Sequence, residues 1–167
     1  PPSRPSAPSR SRAWPDKLPG SAWVAGRGWY HAAWRDDPSW PRPEELDAAA
    51  GGRPAILTRK DGHSAWLSNA AIAAAGLRPE DQDPQGTVKE TMVEAVRRFV
   101  PAPSEPAFDK GMLSALRALA AKGLTSVHTM DTPRSFRSFH LLHAAGRLPL
   151  RVPWHFPAAE LASAERF

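Results

Sequence analysis

Residues 109–155 read DKGMLSALRALAAKGLTSVHTMDTPRSFRSFHLLHAAGRLPLRVPWH. Met112, Leu113, Leu116, Leu119 and Ala120 recur at helical spacing from Asp109 to Ala121, and Gly123 marks the stop. Leu124-Thr125-Ser126-Val127-His128 follows at once as a strand pattern. Thr132-Pro133 then opens a second helix, with the hydroxyl as N-cap and the proline at the first helical position. Phe136, Phe139, Leu142 and Ala145 mark its buried side before Gly146. Leu148 to His155 is another strand pattern, and Pro149 and Pro153 make it an edge or irregular one. Helix, strand, helix, strand in this order implies parallel strands joined by right-handed crossovers, so the class is α/β. A last helical pattern runs from Ala158 to Arg166.

Working upstream, Val88, Met92, Val96, Phe99 and Val100 form one helical stripe that Pro101 and Pro103 break. Thr87 and Glu90 fit the S/T-x-x-E capping box at its start, and Glu94 and Arg98 have the spacing of a surface ion pair. Arg78 to Gly86 is a polar loop. Pro54 to Thr58 is a short apolar run bounded by turn residues, a buried strand. It leads through Asp61-Gly62-His63 into a small-residue helix with Ser68 as N-cap and Gly76 as terminator. Pro43 to Asp47 begins a helix that Gly51-Gly52 ends, and Ser21 to Ala25 is a strand candidate ahead of Gly26-Arg27-Gly28-Trp29. Five of the seven tryptophans fall in the first 40 positions. Clustered tryptophan packs loop-rich regions against a core more often than it stacks sugars or bases.

Residues 1–20 are rich in Pro, Ser and Arg without hydrophobic periodicity, the composition of a disordered segment. The folded part is then 21–167, enough for one domain but short of the roughly 250 residues of a complete (β/α)8 barrel. Without a starting methionine, the chain reads as an internal segment of something longer. The net charge is +5, of which Arg4, Arg10 and Arg12 carry three, so the body is nearly balanced. That is not the basic face of a nucleic-acid binder. Absence of cysteine excludes disulfides and thiolate chemistry and is compatible with the cytoplasm. No apolar run approaches the ~18 residues of a membrane span.

Three strand patterns end in or just before a histidine: His63, His128 and His155. If the strands are parallel neighbours, these imidazoles converge with Asp61 and Asp131, and such donors suit Zn²⁺ or general acid–base work. Loop histidines bonded to backbone are the commoner outcome of such spacing. His140 and His143, at i and i+3, read as a solvated or half-buried helix face. No phosphate-binding glycine loop and no G-x-S-x-G elbow is present.

The ordered set Gly26-Arg27-Gly28-Trp29, Arg53-Pro54-Ala55-Ile56-Leu57, Asp61 to Ala71, Gly86-Thr87-Val88-Lys89-Glu90, Gly123 to His128 and Arg147 to Val152 resembles the amidohydrolase 3 family, the YtcJ-like branch of the metal-dependent amidohydrolases. It departs from the family pattern at Tyr30, at the abrupt Asp83-Pro84-Gln85-Gly86, and where Thr129 and Met130 precede Asp131. The resemblance implies a TIM-barrel hydrolase, of which this chain is an incomplete (β/α)8 segment with a parallel sheet and flanking helices. It implies hydrolysis of carbon–nitrogen bonds in small amide-like substrates, not peptides, by water on a divalent metal, zinc foremost. Most ligands of that metal fall outside the segment, which leaves the segment itself inactive. Asp61, His63, His128 and Asp131 are carried over as pocket-lining residues. Lys89 and Glu90 are carried over as a ligand or as support behind the ligands. The competing reading is a non-enzymatic binding module built on the Trp-rich N-terminal region and basic tail.

Overall fold

A computed structural model describes residues 22–156, so the expected disorder of 1–20 and the helix at 158–166 lie outside the described residues. The chain forms two compact units that divide after Pro101.

The first unit is a four-stranded sheet in the order β1 (Val24–Trp29), β2 (Ala55–Arg59), β3 (Ser64–Leu67), β4 (Thr87–Lys89). β1 and β2 are parallel, whereas β2–β3 and β3–β4 are antiparallel. This mixed sheet corrects the all-parallel expectation for the upstream half. The Asp61-Gly62-His63 loop does not hand a strand to a helix; it is the turn of a β2–β3 hairpin. Ser64-Ala65-Trp66-Leu67, a strand, lies between it and the helix.

Alternation explains why β2 reads as an unbroken apolar run. Ala55 and Leu57 pack on one side with Val24, Trp29, Trp34, Leu46, Ala50 and Trp66. Ile56 packs on the other with Ala65, Leu67, Ala71, Val88, Val93 and Val96. A strand buried on both faces loses the polar half of its period-2 pattern. Trp29, Trp34 and Trp66 are buried, and the Trp29 and Trp66 indoles donate to the carbonyls of Leu57 (2.6 Å) and Arg42 (2.7 Å). These rings are core, not an exposed stacking platform.

Helix α1 (Pro43–Ala50) starts with Glu45 accepting from the Arg42 N–H (2.7 Å) and ends at Gly51, where φ is +62°. Helix α2 (Asn69–Ala74) has the expected Ser68 cap, whose hydroxyl accepts from the Ala71 N–H at 3.1 Å. Helix α3 spans Thr91–Arg97. The expected stripe from Val88 is therefore split, since Val88 belongs to β4. The Thr87/Glu90 capping box is not formed: the Thr87 hydroxyl donates to Asp83 at 2.5 Å and Glu90 reaches elsewhere. Glu94 pairs with Arg97 (2.6 Å), not Arg98.

The second unit packs helices α4 (Glu105–Ala120) and α5 (Pro133–Ala144) through Leu113, Leu116, Phe139, Leu142 and Leu150. α4 begins earlier than its apolar stripe, with Ser104 at the N-cap position. Thr132 holds the N-cap position of α5 without a side-chain bond, and Ala145 is exposed. The segments around Ser126 and Arg151 meet in parallel bridges, Ser126 with Arg151 and Thr129 with Trp154. Backbone bonds Arg151 N–H to Thr125 O (3.0 Å), Val127 N–H to Arg151 O (2.9 Å), Thr129 N–H to Pro153 O (3.1 Å) and His155 N–H to Thr129 O (2.9 Å) form the ladder. Pro153 has no N–H to give, which interrupts the ladder between its two bridges. The expected strand–helix–strand order appears here only as two isolated parallel bridges between the segments flanking α5, not as full strands.

Candidate functional site

The strand directions put the C-terminal ends of β1, β2 and β4 and the start of β3 at one end of the sheet. Residues far apart in sequence gather there: Tyr30 and His31 after β1, Arg59 at the end of β2 with Lys60 to His63 in the hairpin turn, and Lys89 at the end of β4 with Glu90 after it. Gly62 takes φ +88°, a value that suits glycine at the tip of the turn. The Asp61 carboxylate accepts the His63 backbone N–H at 3.0 Å and forms an ion pair with Arg59. His63 Nδ1 lies 3.1 Å from Glu90 Oε2, with the two side chains 69% and 70% exposed. The Glu90 N–H donates to the His63 carbonyl at 2.9 Å.

Glu90 has φ +49° and ψ −122°, the sole positive φ outside glycine among the described residues. Such a conformation costs on the order of 1–3 kcal/mol in a residue with a Cβ and persists only where surrounding contacts hold it.

An aromatic and cationic layer adjoins this pair. The Arg59 guanidinium lies 4.8 Å from the Tyr30 ring centre and 5.5 Å from that of Trp40, and Lys89 Nζ lies 5.0 Å from Trp40. Lys89 also pairs with Asp83 at 3.1 Å. Burial pushes the Asp83 carboxyl up, but bonds from the Thr87 hydroxyl and N–H, and from Lys89, outweigh it and hold the group below the usual carboxylate range. His31 packs on Trp40 with ring centres 4.3 Å apart. Burial, helped by the Arg59 charge and opposed by Asp61, lowers its pKa.

In the second unit, His128 Nδ1 and His155 Nε2 are 2.9 Å apart. Their ring centres lie 5.2 Å apart with planes within 29°, so the nitrogens face each other in a hydrogen bond. Asp131 turns back on its own loop, accepting the Thr129 hydroxyl (2.7 Å). His140 and His143 are exposed on α5.

The structure thus joins Asp61, His63, Lys89 and Glu90 at one sheet end, and joins His128 to His155, with Asp131 folded onto Thr129. Within the first unit His63 is partnered by Glu90, and within the second His128 is partnered by His155. Among the described residues no group of three or more His, Asp or Glu side chains could hold a metal ion. Each candidate pair is turned on itself, whereas a stable zinc site takes at least three protein donors. The described residues therefore do not fit a resident metal by themselves. Tyr30, His31, Trp40 and Arg59 were missed by sequence reasoning. The signal for Tyr30 and His31 lay in β1, which runs through Gly26 and Gly28 and ends at Trp29, directly before them.

These units define an α/β protein with ionisable side chains gathered at strand ends. A sequence model of the amidohydrolase family, amidohydrolase 3, matches residues 1–167, and the chain belongs to that family. It is 26% identical to the putative amidohydrolase YtcJ of Bacillus subtilis (strain 168), over 81% of this chain and 29% of that protein. Two crystal structures share its fold, both of uncharacterized metal-dependent hydrolases. The one from Pyrococcus horikoshii OT3 has TM-score 0.64 and 22% identity, covering 99% of this chain and 33% of its own. The one from Pyrococcus furiosus has TM-score 0.61 and 24% identity, covering 99% and 34%. The chain thus spans about a third or less of the length of the relatives it matches. Among the described residues no helix is long and apolar enough to cross a membrane.

Proposed function

We propose that this chain is a segment of a metal-dependent hydrolase that cleaves carbon–nitrogen bonds of small, non-peptide amide substrates. The observation that carries the reading is the amidohydrolase family match along the whole chain. The parallel bridges between the segments flanking α5 support its placement in a (β/α)8 barrel, where reactive groups sit at strand C-terminal ends. In this second unit Val127, Val152 and Trp154 pack toward the helices, whereas His128 and His155 are exposed at the ends of their segments. Asp61, His63, Lys89 and Glu90 lie at the end of the first unit's sheet where β1, β2 and β4 finish. In this reading Asp61, His63, His128 and Asp131 contact substrate or shape its surroundings, and Lys89 and Glu90 support them. The divalent metal, zinc by the chemistry of this class, takes its ligands from elsewhere in the longer protein. The 167-residue chain alone is inactive.

Two assays separate the parts of this reading. The 167-residue chain and the longer protein are each supplied with Zn²⁺ and a panel of simple amides and N-formyl compounds. The longer protein hydrolyses members of the panel and the short chain none. Chelator-sensitive turnover by the short chain overturns its inactivity. A longer protein loaded with divalent metal that leaves every carbon–nitrogen bond intact overturns the reaction class.

A further inference from the structure

Glu90 occupies a backbone conformation that favours glycine, and it is exposed, so core packing does not account for it. What it gains is a double hold on His63: its N–H bonds the His63 carbonyl at 2.9 Å and its carboxylate meets Nδ1 at 3.1 Å. Asp61 secures the same residue from the other side through the His63 N–H. An ionised carboxylate has no proton to give, so Nδ1 of a neutral imidazole must be the donor in this bond. The other nitrogen is then unprotonated, and among the described residues no side chain bonds it.

We propose that Glu90 is a positioning residue that holds neutral His63 as the Nδ1–H tautomer and presents Nε2 as an acceptor for a ligand carrying an N–H or O–H donor. The strained backbone is what brings the carboxylate onto the ring. That the donor is a substrate amide N–H rests on the hydrolase reading above; the tautomer does not.

The test is ¹⁵N NMR of the histidine side chains in the 167-residue chain at about pH 8.5, well above the ordinary histidine value near 6.5. A His63→Gln variant assigns the resonance. His63 is expected mainly as the Nδ1–H form in the wild type. In Glu90→Gly, the ratio of Nδ1–H to Nε2–H is expected to fall about fivefold, the scale of one exposed charged hydrogen bond. Glycine accepts the positive φ, so the melting temperature of this variant stays level or rises, which separates a positioning role from a general structural one. A wild-type His63 found mainly as Nε2–H, or a ratio unchanged in Glu90→Gly, overturns the proposal. In the longer enzyme, Glu90→Gly and His63→Gln both lower kcat/KM on a secondary amide, and full activity in either removes the ligand role. A longer protein without hydrolytic activity overturns the reaction class and leaves the tautomer result standing.

Discussion

Ser68 shows how much one residue can carry. Its hydroxyl oxygen accepts from the Ala55 N–H (2.8 Å) and the Ala71 N–H (3.1 Å), and the hydroxyl donates to the Arg53 carbonyl (3.1 Å). It is fully buried, so it joins the start of β2 to the first turn of α2 without help from bulk water. Ser68→Ala leaves the Ala55 N–H buried and unpaired and removes the cap, so a loss of about 2–3 kcal/mol is expected in urea denaturation. A loss below ~1 kcal/mol would mean that water replaces the hydroxyl. The cap to Ala71 was legible in sequence because it is three residues away. The bond to Ala55 was not, because nothing local encodes a partner 13 residues upstream. Glu90 is the opposite case: a local capping-box pattern pointed the wrong way, and a partner 27 residues distant took the side chain.

Short elements were the hardest to read. β3 has four residues and is followed, after Ser68, by a run of small helical ones, so turn, strand and helix merged into one loop-to-helix transition. β4 has three, and its single valine falls four residues before Met92 and eight before Val96, the spacing of a helix stripe. β4 is held by its ladder with β3, and the turn that leads into it packs against the start of α1. Gly86 has φ +76°, and a Cβ there would lie 2.5 and 2.8 Å from the Pro43 ring, which cannot rotate away. Gly86→Ala adds backbone strain to a clash, about 2–4 kcal/mol together. Gly28→Ala is the control, since it also has positive φ but nothing within 4 Å. Gly86→Ala should therefore lower the melting temperature more than Gly28→Ala. Equal losses would show that α1 yields and that Pro43 does not constrain the turn at Gly86.

At the scale of the molecule, the α/β class was legible because helices of 12 and 16 residues leave strong periodic signals and a strand buried on both faces leaves an unbroken apolar run. Strand direction in the upstream half was not, since periodicity carries no sign of direction and the hairpin turn resembled a crossover loop. The fold also sets a common response to acid. Asp109 is held below the usual carboxylate range chiefly by the Ser138 hydroxyl, with the Arg137 charge assisting, as Asp83 is by Thr87 and Lys89. His31 is lowered as well, by burial first. All three bind protons more weakly folded than unfolded, so each contributes stability that is complete above its ordinary value and lost as pH falls toward its folded value. The sign is shared but the windows differ. The His31 contribution starts to fall below about pH 6.5 and the carboxylate contributions below about pH 4. Urea midpoints measured from pH 8 to pH 3 should hold level, decline modestly through the histidine window, then fall steeply. His31→Phe keeps the stack on Trp40 and removes the ionisable ring, so it should abolish the first decline and leave the second. A first decline that survives in His31→Phe would assign that window to another histidine.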